Sequence, residues 1–294
     1  MFKKKIIFVV VLLMVCLVSA QNLDRLIIFI GYDGQIPILA SEVLDRGRPL
    51  LKHDNIYKFA NGRLTNMNID IPEATLCLLV KNGVYVFTDT IGNLTRYQFK
   101  LNGKELISQL TIVRGARYYG EVAINDKYFF VRYGCRNDSA KILKVNYRAP
   151  VKIDTIKLGF CGDFLLDATN DYLYYTEPTG EFFSGYVYQI SIKNGIVKKI
   201  ANVTYNWEEI AIVPHLNLIF SGNIKYPILE DYNKKQHIRS PDATSSGGIF
   251  YSYERNAFIN YNATLDINEW ECFYLGDGGK MPTELRLVPC FGRK

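Results

Sequence analysis

Hydrophobic and polar residues alternate along most of the chain with a period of two, which is the pattern of half-buried β-strands. The alternation is strongest in an aromatic strand motif that recurs every 44 residues, with copies that begin at Val84, Tyr128, Tyr172 and Leu216. A period of about 40–45 residues with several short strands per unit is typical of a β-propeller. We therefore predict an all-β fold built as a single β-propeller.

The clearest repeat unit predicts four antiparallel strands. They span residues 164–167, 172–177, 186–192 and 196–201. The turn between the last two, Lys193-Asn194-Gly195, has the Asn-Gly composition of a hairpin. Four such strands form one propeller blade. Residues 21–294 have room for six units of about 46 residues each, so we predict six blades, with five as the alternative.

The two ends of the predicted ring and one internal segment depart from this pattern. The N-terminal unit shows only three strands, at 26–30, 36–40 and 49–52. Its innermost strand is missing from the sequence pattern, and we expect residues 285–288 or 247–253 to supply it and close the ring. Residues 222–246 are charged and contain two prolines. We expect them to replace the outer strands of their blade with a long loop, and such loops are often functional.

The first 20 residues have the composition of a secretory signal peptide. Three lysines at positions 3–5 precede an apolar run over 6–18, and Val18-Ser19-Ala20 forms a small-residue cleavage site. The run is too short to span a bilayer as a helix. We expect residues 1–20 to be removed and residues 21–294 to form an exported propeller domain, extracellular or in the lumen of the secretory pathway, without a membrane span.

The net charge narrows the class of partner. Removal of residues 1–20 takes away three lysines and no acid, so the formal charge falls from +6 to +3. Such a small excess does not predict a nucleic-acid surface. The expected partner is an extracellular or lumenal protein or a small ligand.

Four N-glycosylation sequons support the secretory route. Their asparagines are Asn93, Asn137, Asn202 and Asn262. None of the four has proline at the middle position. We expect these asparagines to lie on surface loops and the mature protein to be a glycoprotein.

Five cysteines remain after the signal segment is removed. Cys272 and Cys290 flank the C-terminal region and are placed to pair, and Cys135 and Cys161 flank the outer strands of one blade. Each bridge would stabilise the fold by about 3 kcal/mol on the chain-entropy model. Cys77 lies in an apolar strand and is expected to be a buried, inert thiol.

An acidic residue precedes the innermost strand in four of the predicted units. These residues are Glu73, Glu121, Asp163 and Glu209. Four carboxylates at one mouth of the channel would form a ring of oxygen ligands suited to Ca²⁺, although acids at strand starts are also compatible with a solvated rim. His215 lies at a turn near the channel, where it is either a general base or a turn residue.

Two segments resemble the six-bladed propellers with YWTD repeats. Residues 208–220 and 163–177 follow their order of an apolar strand, a short turn and an aromatic strand, with Tyr174-Tyr175-Thr176-Glu177 where that family has Tyr-Trp-Thr-Asp. The chain is also similar in kind to the regucalcin and gluconolactonase propellers. The resemblance implies six blades and, through the latter families, a divalent ion held by channel-facing carboxylates that activates water for hydrolysis of a lactone or phosphoester.

Three functions are compatible with these patterns. We expect foremost a secreted glycoprotein that binds a partner through one propeller face, using the segment at 222–246. The alternative is a calcium-dependent hydrolase or lactonase with its site in the central channel. The third is a structural domain without a small ligand. No nucleophile elbow, phosphate-binding loop or zinc motif occurs in the sequence, which favours binding over catalysis.

Overall fold

The fold is taken from a computed structural model of the chain. The structure describes residues 25–45, 48–69, 71, 75–89, 94–99, 106–113, 118–133, 141–146, 152–157, 164–179, 184–204, 210–221, 227–242, 248–261 and 265–291. The predicted signal segment, residues 1–20, lies outside the described residues.

The described chain forms 24 β-strands in six consecutive four-stranded units, which we call blades 1 to 6. Blade 1 contains β1 (Arg25–Asp33), β2 (Ile36–Asp45), β3 (Arg48–Ala60) and β4 (Arg63–Asn66). Blade 2 contains β5 (Thr75–Lys81), β6 (Val84–Asp89), β7 (Leu94–Phe99) and β8 (Leu106–Val113). Blade 3 contains β9 (Tyr118–Ile124), β10 (Tyr128–Tyr133), β11 (Lys141–Asn146) and β12 (Lys152–Lys157).

The second half of the chain repeats the same order of strands. Blade 4 contains β13 (Phe164–Ala168), β14 (Tyr172–Pro178), β15 (Ser184–Ser191) and β16 (Val197–Thr204). Blade 5 contains β17 (Ile210–Val213), β18 (Leu218–Ser221), β19 (Ile228–Asp231) and β20 (Gln236–Arg239). Blade 6 contains β21 (Gly248–Ser252), β22 (Ala257–Tyr261), β23 (Glu271–Tyr274) and β24 (Val288–Pro289).

These strands form five hydrogen-bonded sheets, one of eight strands and four of four strands. The eight-stranded sheet combines blades 1 and 2, because their innermost strands β1 and β5 run parallel and are bridged at Gly31 and Val80. Within each blade, neighbouring strands are antiparallel. The predicted all-β propeller with four antiparallel strands per blade is confirmed, and the same strands count as six blades or as five sheets.

The aromatic repeat seen in the sequence forms the second strand of four successive blades. β6, β10 and β14 begin at Val84, Tyr128 and Tyr172, and β18 begins at Leu218. Most of the described apolar side chains of these strands are buried between neighbouring blades. Phe130 and Leu173 lie in one cluster shared by blades 3 and 4, and Ile219 packs against blade 4. The 44-residue period therefore reflects one buried strand per blade.

The described residues contain no α-helix. Three short 3-10 turns occur, at Pro214–Leu216, Ile267–Glu269 and Asp277–Gly279. Within the same part of the chain, no helix has the length and apolar composition needed to cross a membrane.

The first blade is complete, which corrects the predicted mode of ring closure. β1 is itself the innermost strand, since it pairs in parallel with β5, and the sequence pattern missed β4 at its outer edge. Neither predicted closing segment joins blade 1. β21 is the innermost strand of blade 6, and β24 pairs with β23 at the outside of the same blade. The ring closes by packing of side chains between blades 1 and 6.

The predicted long loop at 222–246 is also corrected. Residues 228–231 and 236–239 form the regular outer strands β19 and β20 of blade 5, joined by a tight turn. In that turn Asp231 accepts backbone hydrogen bonds from Asn233 and Lys234 at 3.1 and 2.9 Å. Charged residues and prolines made this segment resemble a loop, but its apolar positions, such as Leu229, are buried. Residues 222–226 and 243–247 lie outside the described residues.

Candidate functional site

The C-terminal ends of the inner strands meet at one mouth of the central channel. At the end of β1, Asp33 accepts a hydrogen bond from the backbone of Gly83 at 3.1 Å, in the turn after β5. The other carboxylate oxygen of Asp33 lies 3.3 Å from the ammonium group of Lys58. Asn82 and Gly83 both have positive φ, and an Asn-Gly pair adopts this tight turn readily. These contacts bind blade 1 to blade 2 at the mouth.

Lys81, the last residue of β5, reaches across this mouth to two other blades. Its Nζ donates to the backbone carbonyl of Ile124 at 2.9 Å and to that of Ala168 at 3.4 Å. These carbonyls belong to the last residues of β9 and β13. One ammonium group therefore holds together the inner-strand ends of blades 2, 3 and 4.

Asp167 lies beside this ammonium group near the end of β13. Burial raises the pKa of its carboxyl group, and the charge of Lys81 and a hydrogen bond from the Ala168 backbone lower it in part. The bond from Ala168 N to Asp167 Oδ1 measures 2.7 Å. Burial is the largest of these effects, so the carboxyl group takes up a proton more readily than a solvated aspartate.

Three tyrosines complete the mouth on the side of blades 1 and 6. The hydroxyl of Tyr32 donates to the carbonyl of Tyr251 at 2.9 Å and accepts from its backbone N–H at 3.1 Å. The ring of Tyr32 meets that of Tyr253 edge-on, with centroids 5.3 Å apart. Burial raises the pKa of all three phenols, and that of Tyr253 reaches about 12. They remain protonated at neutral pH. Tyr32 and Tyr251 already give their hydroxyl protons to acceptors in the protein, Tyr251 to Asn256 Oδ1 at 2.8 Å.

His215 covers the same tyrosines from blade 5. It lies in the 3-10 turn after β17, and its ring stacks on Tyr253 with a centroid distance of 5.3 Å and an angle of 15° between planes. Burial lowers the pKa of the imidazole. The ring is therefore neutral at pH 7. His215 as a whole remains exposed at the surface. It offers one donor and one acceptor to a ligand.

We call these six residues the mouth cluster. Its members are Tyr32, Lys81, Asp167, His215, Tyr251 and Tyr253. They come from blades 1, 2, 4, 5 and 6, and blade 3 contributes the Ile124 carbonyl. The cluster offers aromatic surface, neutral hydrogen-bonding groups and one opposite-charge pair. The stacked rings of His215 and Tyr253 suit the binding of a partly apolar partner, because amphipathic aromatic side chains give both contact area and hydrogen bonds.

The predicted calcium ligands are not brought together by the described residues. Glu73, Asp163 and Glu209 lie outside them, and Glu121 lies within β9 rather than before it, with its side chain outside them as well. Among the side chains that the structure describes, no group of three or more His, Cys, Asp or Glu residues is placed to hold a metal ion. Bound Ca²⁺ stays a prediction.

Of the other predicted site residues, the C-terminal cysteine pair and one sequon can be located. Cys272 and Cys290 form a disulfide with a Cα–Cα distance of 5.0 Å, as predicted. Asn202 is exposed on β16. The remaining positions lie outside the described residues or their described side chains; these are Cys77, Cys135, Cys161, Asn93, Asn137 and Asn262.

Sequence reasoning located His215 near the channel but missed most of the mouth cluster. The acids predicted from the sequence precede the innermost strands, whereas Asp33, Lys81 and Asp167 lie at or near the opposite ends of such strands. The sequence does contain a pattern that could have located them. Each of these charged residues lies at or near the end of an otherwise apolar strand and is followed by a tight turn. The role of Tyr32 had no sequence signal, since its partner lies 219 residues away.

Comparisons with known proteins identify the fold. No protein-family model matches the chain. No curated protein sequence matches it either. Among solved structures, a chain of the mitotic checkpoint complex matches with a TM-score of 0.53 and 12% identity, covering 89% of this chain and 76% of that one.

Two further solved structures match the chain with a similar TM-score. A chain of a nidogen/laminin complex has a TM-score of 0.50 and 11% identity, with 90% and 96% of the two chains covered. TolB from Acinetobacter baumannii has a TM-score of 0.52 and 9% identity, with 92% and 82% covered. The fold is a β-propeller. At these identities the similarity establishes the fold and no specific family.

Proposed function

We propose that this protein is an exported binding module that holds a partner protein at the channel mouth. The observation that carries the proposal is the mouth cluster, in which His215 stacks on Tyr253 and stays exposed while Tyr32 and Tyr251 support it from below. Tyrosine is enriched in protein interfaces because its ring buries a large area and its hydroxyl still makes hydrogen bonds.

The chemistry of the cluster favours binding over catalysis. The phenols keep their protons at neutral pH, since burial raises the pKa of each. Lys81 is engaged with two backbone carbonyls, so its ammonium group acts as a fixed structural cation. A site of this kind recognises a surface without needing an activated nucleophile.

Two other lines of evidence support a role in binding another protein. The similar chains of the mitotic checkpoint complex and of the nidogen/laminin complex were both solved in assemblies. The sequence resemblance to YWTD-repeat propellers and the four sequons behind a signal-like segment support export to the cell surface or the secretory lumen. We infer that the partner is an extracellular or lumenal protein.

Site-specific photocrosslinking tests this function. The full chain would carry a photoreactive phenylalanine analogue at His215 and would be expressed in its native secretory environment. We expect discrete cross-linked adducts from this position and none from the control position Thr179, which is exposed on the loop between β14 and β15 at the other side of the ring. Equal adducts from both positions, or adducts from neither, would contradict a binding site at the mouth.

The affinity of the identified partner then gives a quantitative check. Tyr253→Ala should raise the Kd at least tenfold, because buried tyrosines at the centre of an interface commonly contribute about 2 kcal/mol or more. Leu265→Ala is the control, since Leu265 is 44% exposed between β22 and β23, at the end of blade 6 opposite the mouth cluster. Its Kd should stay within about twofold of the wild type, a difference of about 0.4 kcal/mol.

A further inference from the structure

Three of the six large apolar side chains that are exposed in the described part of the chain lie together on blade 4. Tyr172 begins β14, and Ile196 and Val197 lie where β16 begins; they are 40%, 65% and 48% exposed. The backbone N–H of Ile192 donates to the carbonyl of Asp171 at 2.8 Å, so the turn before β14 and the turn before β16 are in contact. Exposed apolar groups that lie this close together mark an interaction surface.

Lysines surround these apolar groups. Lys193 lies in the turn before β16 and Lys198 on β16 itself, while Lys234 and Lys235 occupy the turn between β19 and β20 of blade 5. All four are exposed. Lys234 forms an ion pair with Asp231 at 3.0 Å, whereas the other three make no ion pair with a described residue. A lysine on an edge strand guards against strand pairing, but lysines in turns have no such role.

The lysines of the two blades lie on both sides of the seam between blades 4 and 5. Lys198 pairs with Gln189 on β15, and Gln189 pairs with Tyr174 on β14 and donates to its hydroxyl at 3.0 Å. Directly opposite residues share one face of a sheet, and Tyr174 packs with Ile219 and Tyr232 of blade 5. Lys198 therefore extends from the face of blade 4 that is turned toward blade 5.

This surface continues inward to the channel mouth. Tyr232 begins the turn that carries the blade 5 lysines; its backbone N–H donates to the carbonyl of Asn217 at 3.0 Å and its hydroxyl to that of Pro214 at 3.4 Å. Pro214 is the first residue of the 3-10 turn that contains His215. One partner can therefore contact the exposed imidazole and the outer turns together. We call the exposed outer residues the basic rim, with members Tyr172, Lys193, Ile196, Val197, Lys198 and Lys235.

We propose that the protein bound at the mouth cluster also lays an acidic segment with aliphatic side chains across the basic rim. The inference rests on the proposed function, because it names the chemistry of the same partner. Uncompensated lysines attract carboxylates and accelerate encounter with an acidic surface. Ile196 and Val197 add apolar contact area, which favours a protein segment over a sulfated polysaccharide. Continuity with the mouth cluster favours one protein over a membrane surface.

A fluorescent peptide rich in glutamate and leucine tests the rim directly. Fluorescence anisotropy would measure its Kd for the purified protein, and we expect binding that weakens as salt rises, because exposed charges are screened. Lys198→Glu/Lys235→Glu should raise the Kd by about tenfold or more, since each reversal replaces an attraction with a repulsion. Arg63→Glu/Arg239→Glu is the matched control. It makes the same charge change at exposed positions on blade 1 and at the far end of β20, and its Kd should stay within about twofold of wild type.

A second variant tests the apolar part of the rim. Ile196→Ser/Val197→Thr should weaken peptide binding several-fold and leave the weaker binding of a heparin oligosaccharide unchanged. Absence of peptide binding, or equal Kd values for the two charge-reversal variants, would overturn the proposal. Heparin or phosphatidylserine vesicles that bind as tightly as the peptide, without a contribution from Ile196 and Val197, would overturn it in favour of a general polyanion or membrane site.

The partner captured by cross-linking from His215 separates this proposal from the proposed function. Its Kd should rise about tenfold in Lys198→Glu/Lys235→Glu and stay near the wild-type value in Arg63→Glu/Arg239→Glu. A captured partner whose Kd is the same in both variants would overturn the role of the basic rim and leave binding at the mouth intact. Absence of His215 adducts would overturn the mouth site, and with it a shared partner, even where the peptide binds the rim.

Discussion

The seam between blades 6 and 1 and the seam between blades 4 and 5 are built in opposite ways. The first is filled by large aromatic rings, with Phe250 of blade 6 stacked on Phe29 and in edge contact with Phe59 of blade 1. The second contains fewer rings, with aliphatic side chains such as Val187 and Ile219 packed around the buried Tyr174, and it widens outward into a polar groove.

The difference follows from the path of the chain. Blades 4 and 5 are consecutive, so the peptide backbone itself keeps them close. Blades 6 and 1 lie at opposite ends of the sequence, and closing a loop of that length costs conformational entropy that side-chain contacts must offset. The ring therefore concentrates its strongest packing where covalent connection is absent, and an open groove is tolerated where the chain is continuous.

Polar contacts strengthen the closing seam further. The backbone N–H of Phe29 donates to the hydroxyl of Tyr261 at 2.8 Å. On the outer side, Arg255 donates to the carbonyl of Cys290 at 2.9 Å and lies over the ring of Phe291. The Cys272–Cys290 disulfide fixes this C-terminal segment to blade 6. Each of these contacts can be removed to weaken the seam between blades 6 and 1 without altering the seam between blades 4 and 5.

The largest effect is expected from Phe250→Ala. Its side chain is fully buried between blades 6 and 1, so truncation leaves a cavity and should lower the free energy of unfolding by about 3–5 kcal/mol. Urea denaturation would measure the change. Tyr274→Ala, on an exposed side chain of the same blade, should stay within about 0.5 kcal/mol of wild type. A cost below about 1 kcal/mol for Phe250→Ala would show that ring closure does not depend on this aromatic packing.

The second largest loss of stability is expected from removal of the Cys272–Cys290 disulfide. The double variant Cys272→Ser/Cys290→Ser opens a loop with a sequence separation of 18 residues, and the expected cost is about 3 kcal/mol on the chain-entropy model. Its unfolding midpoint in urea, compared with that of the oxidised wild type, gives the measurement. A variant as stable as the wild type would mean that β24 is held to β23 by packing alone.

A smaller effect is expected from Gly248→Ala. A Cβ at this position would lie 1.9 Å from the hydroxyl of Tyr261, so the ring must move and its hydrogen bond with Phe29 is lost. We expect a cost of about 1–3 kcal/mol from this overpacking. Tyr261→Phe isolates the hydrogen bond and should cost only about 0.5–1.5 kcal/mol. Equal costs for the two variants would indicate that the ring moves freely and that only the hydroxyl matters.

The smallest effect concerns His215, which joins blade 5 to blade 6 at the mouth. Burial lowers the pKa of the imidazole in the folded protein below its ordinary value of 6.5. At a pH between the folded-state pKa and the unfolded-state pKa, the unfolded chain therefore binds more protons than the folded one. Stability should therefore rise with pH through that window and fall as the solution is acidified. His215→Asn should flatten the slope there, as measured by thermal unfolding between pH 5 and 7. An unchanged slope would place the imidazole in a solvent-like environment in the folded protein.

The sequence predicted what repeats locally and missed what depends on distant contacts. The aromatic motif located β6, β10 and β14 because each of these strands is buried in the same way within its own blade. Blade 4 was predicted nearly strand for strand, since its turns carry Asn, Asp and Gly residues. These features depend on neighbours within one unit of the repeat.

Ring closure and the mouth cluster depend on residues far apart in the chain. β4 was missed because its residues are short of apolar positions, and it is defined only by pairing with β3. The contact of Tyr32 with Tyr251 has no local pattern, so nothing near either residue in the sequence distinguishes these tyrosines from the others. The predicted ring of acids at the strand starts stays a prediction, because Glu73, Asp163 and Glu209 lie outside the described residues.

The complete first blade has a consequence for how such a ring can be rearranged. Among the described residues, blades 1 and 6 exchange no strand and every blade begins and ends with its own strands, while the bridge between Gly31 and Val80 links blades 1 and 2 within one sheet. A circular permutant that begins at β5 and ends at β4 would keep all four strands of every blade together. The point at which the chain begins is thus separable from the order of the blades around the channel.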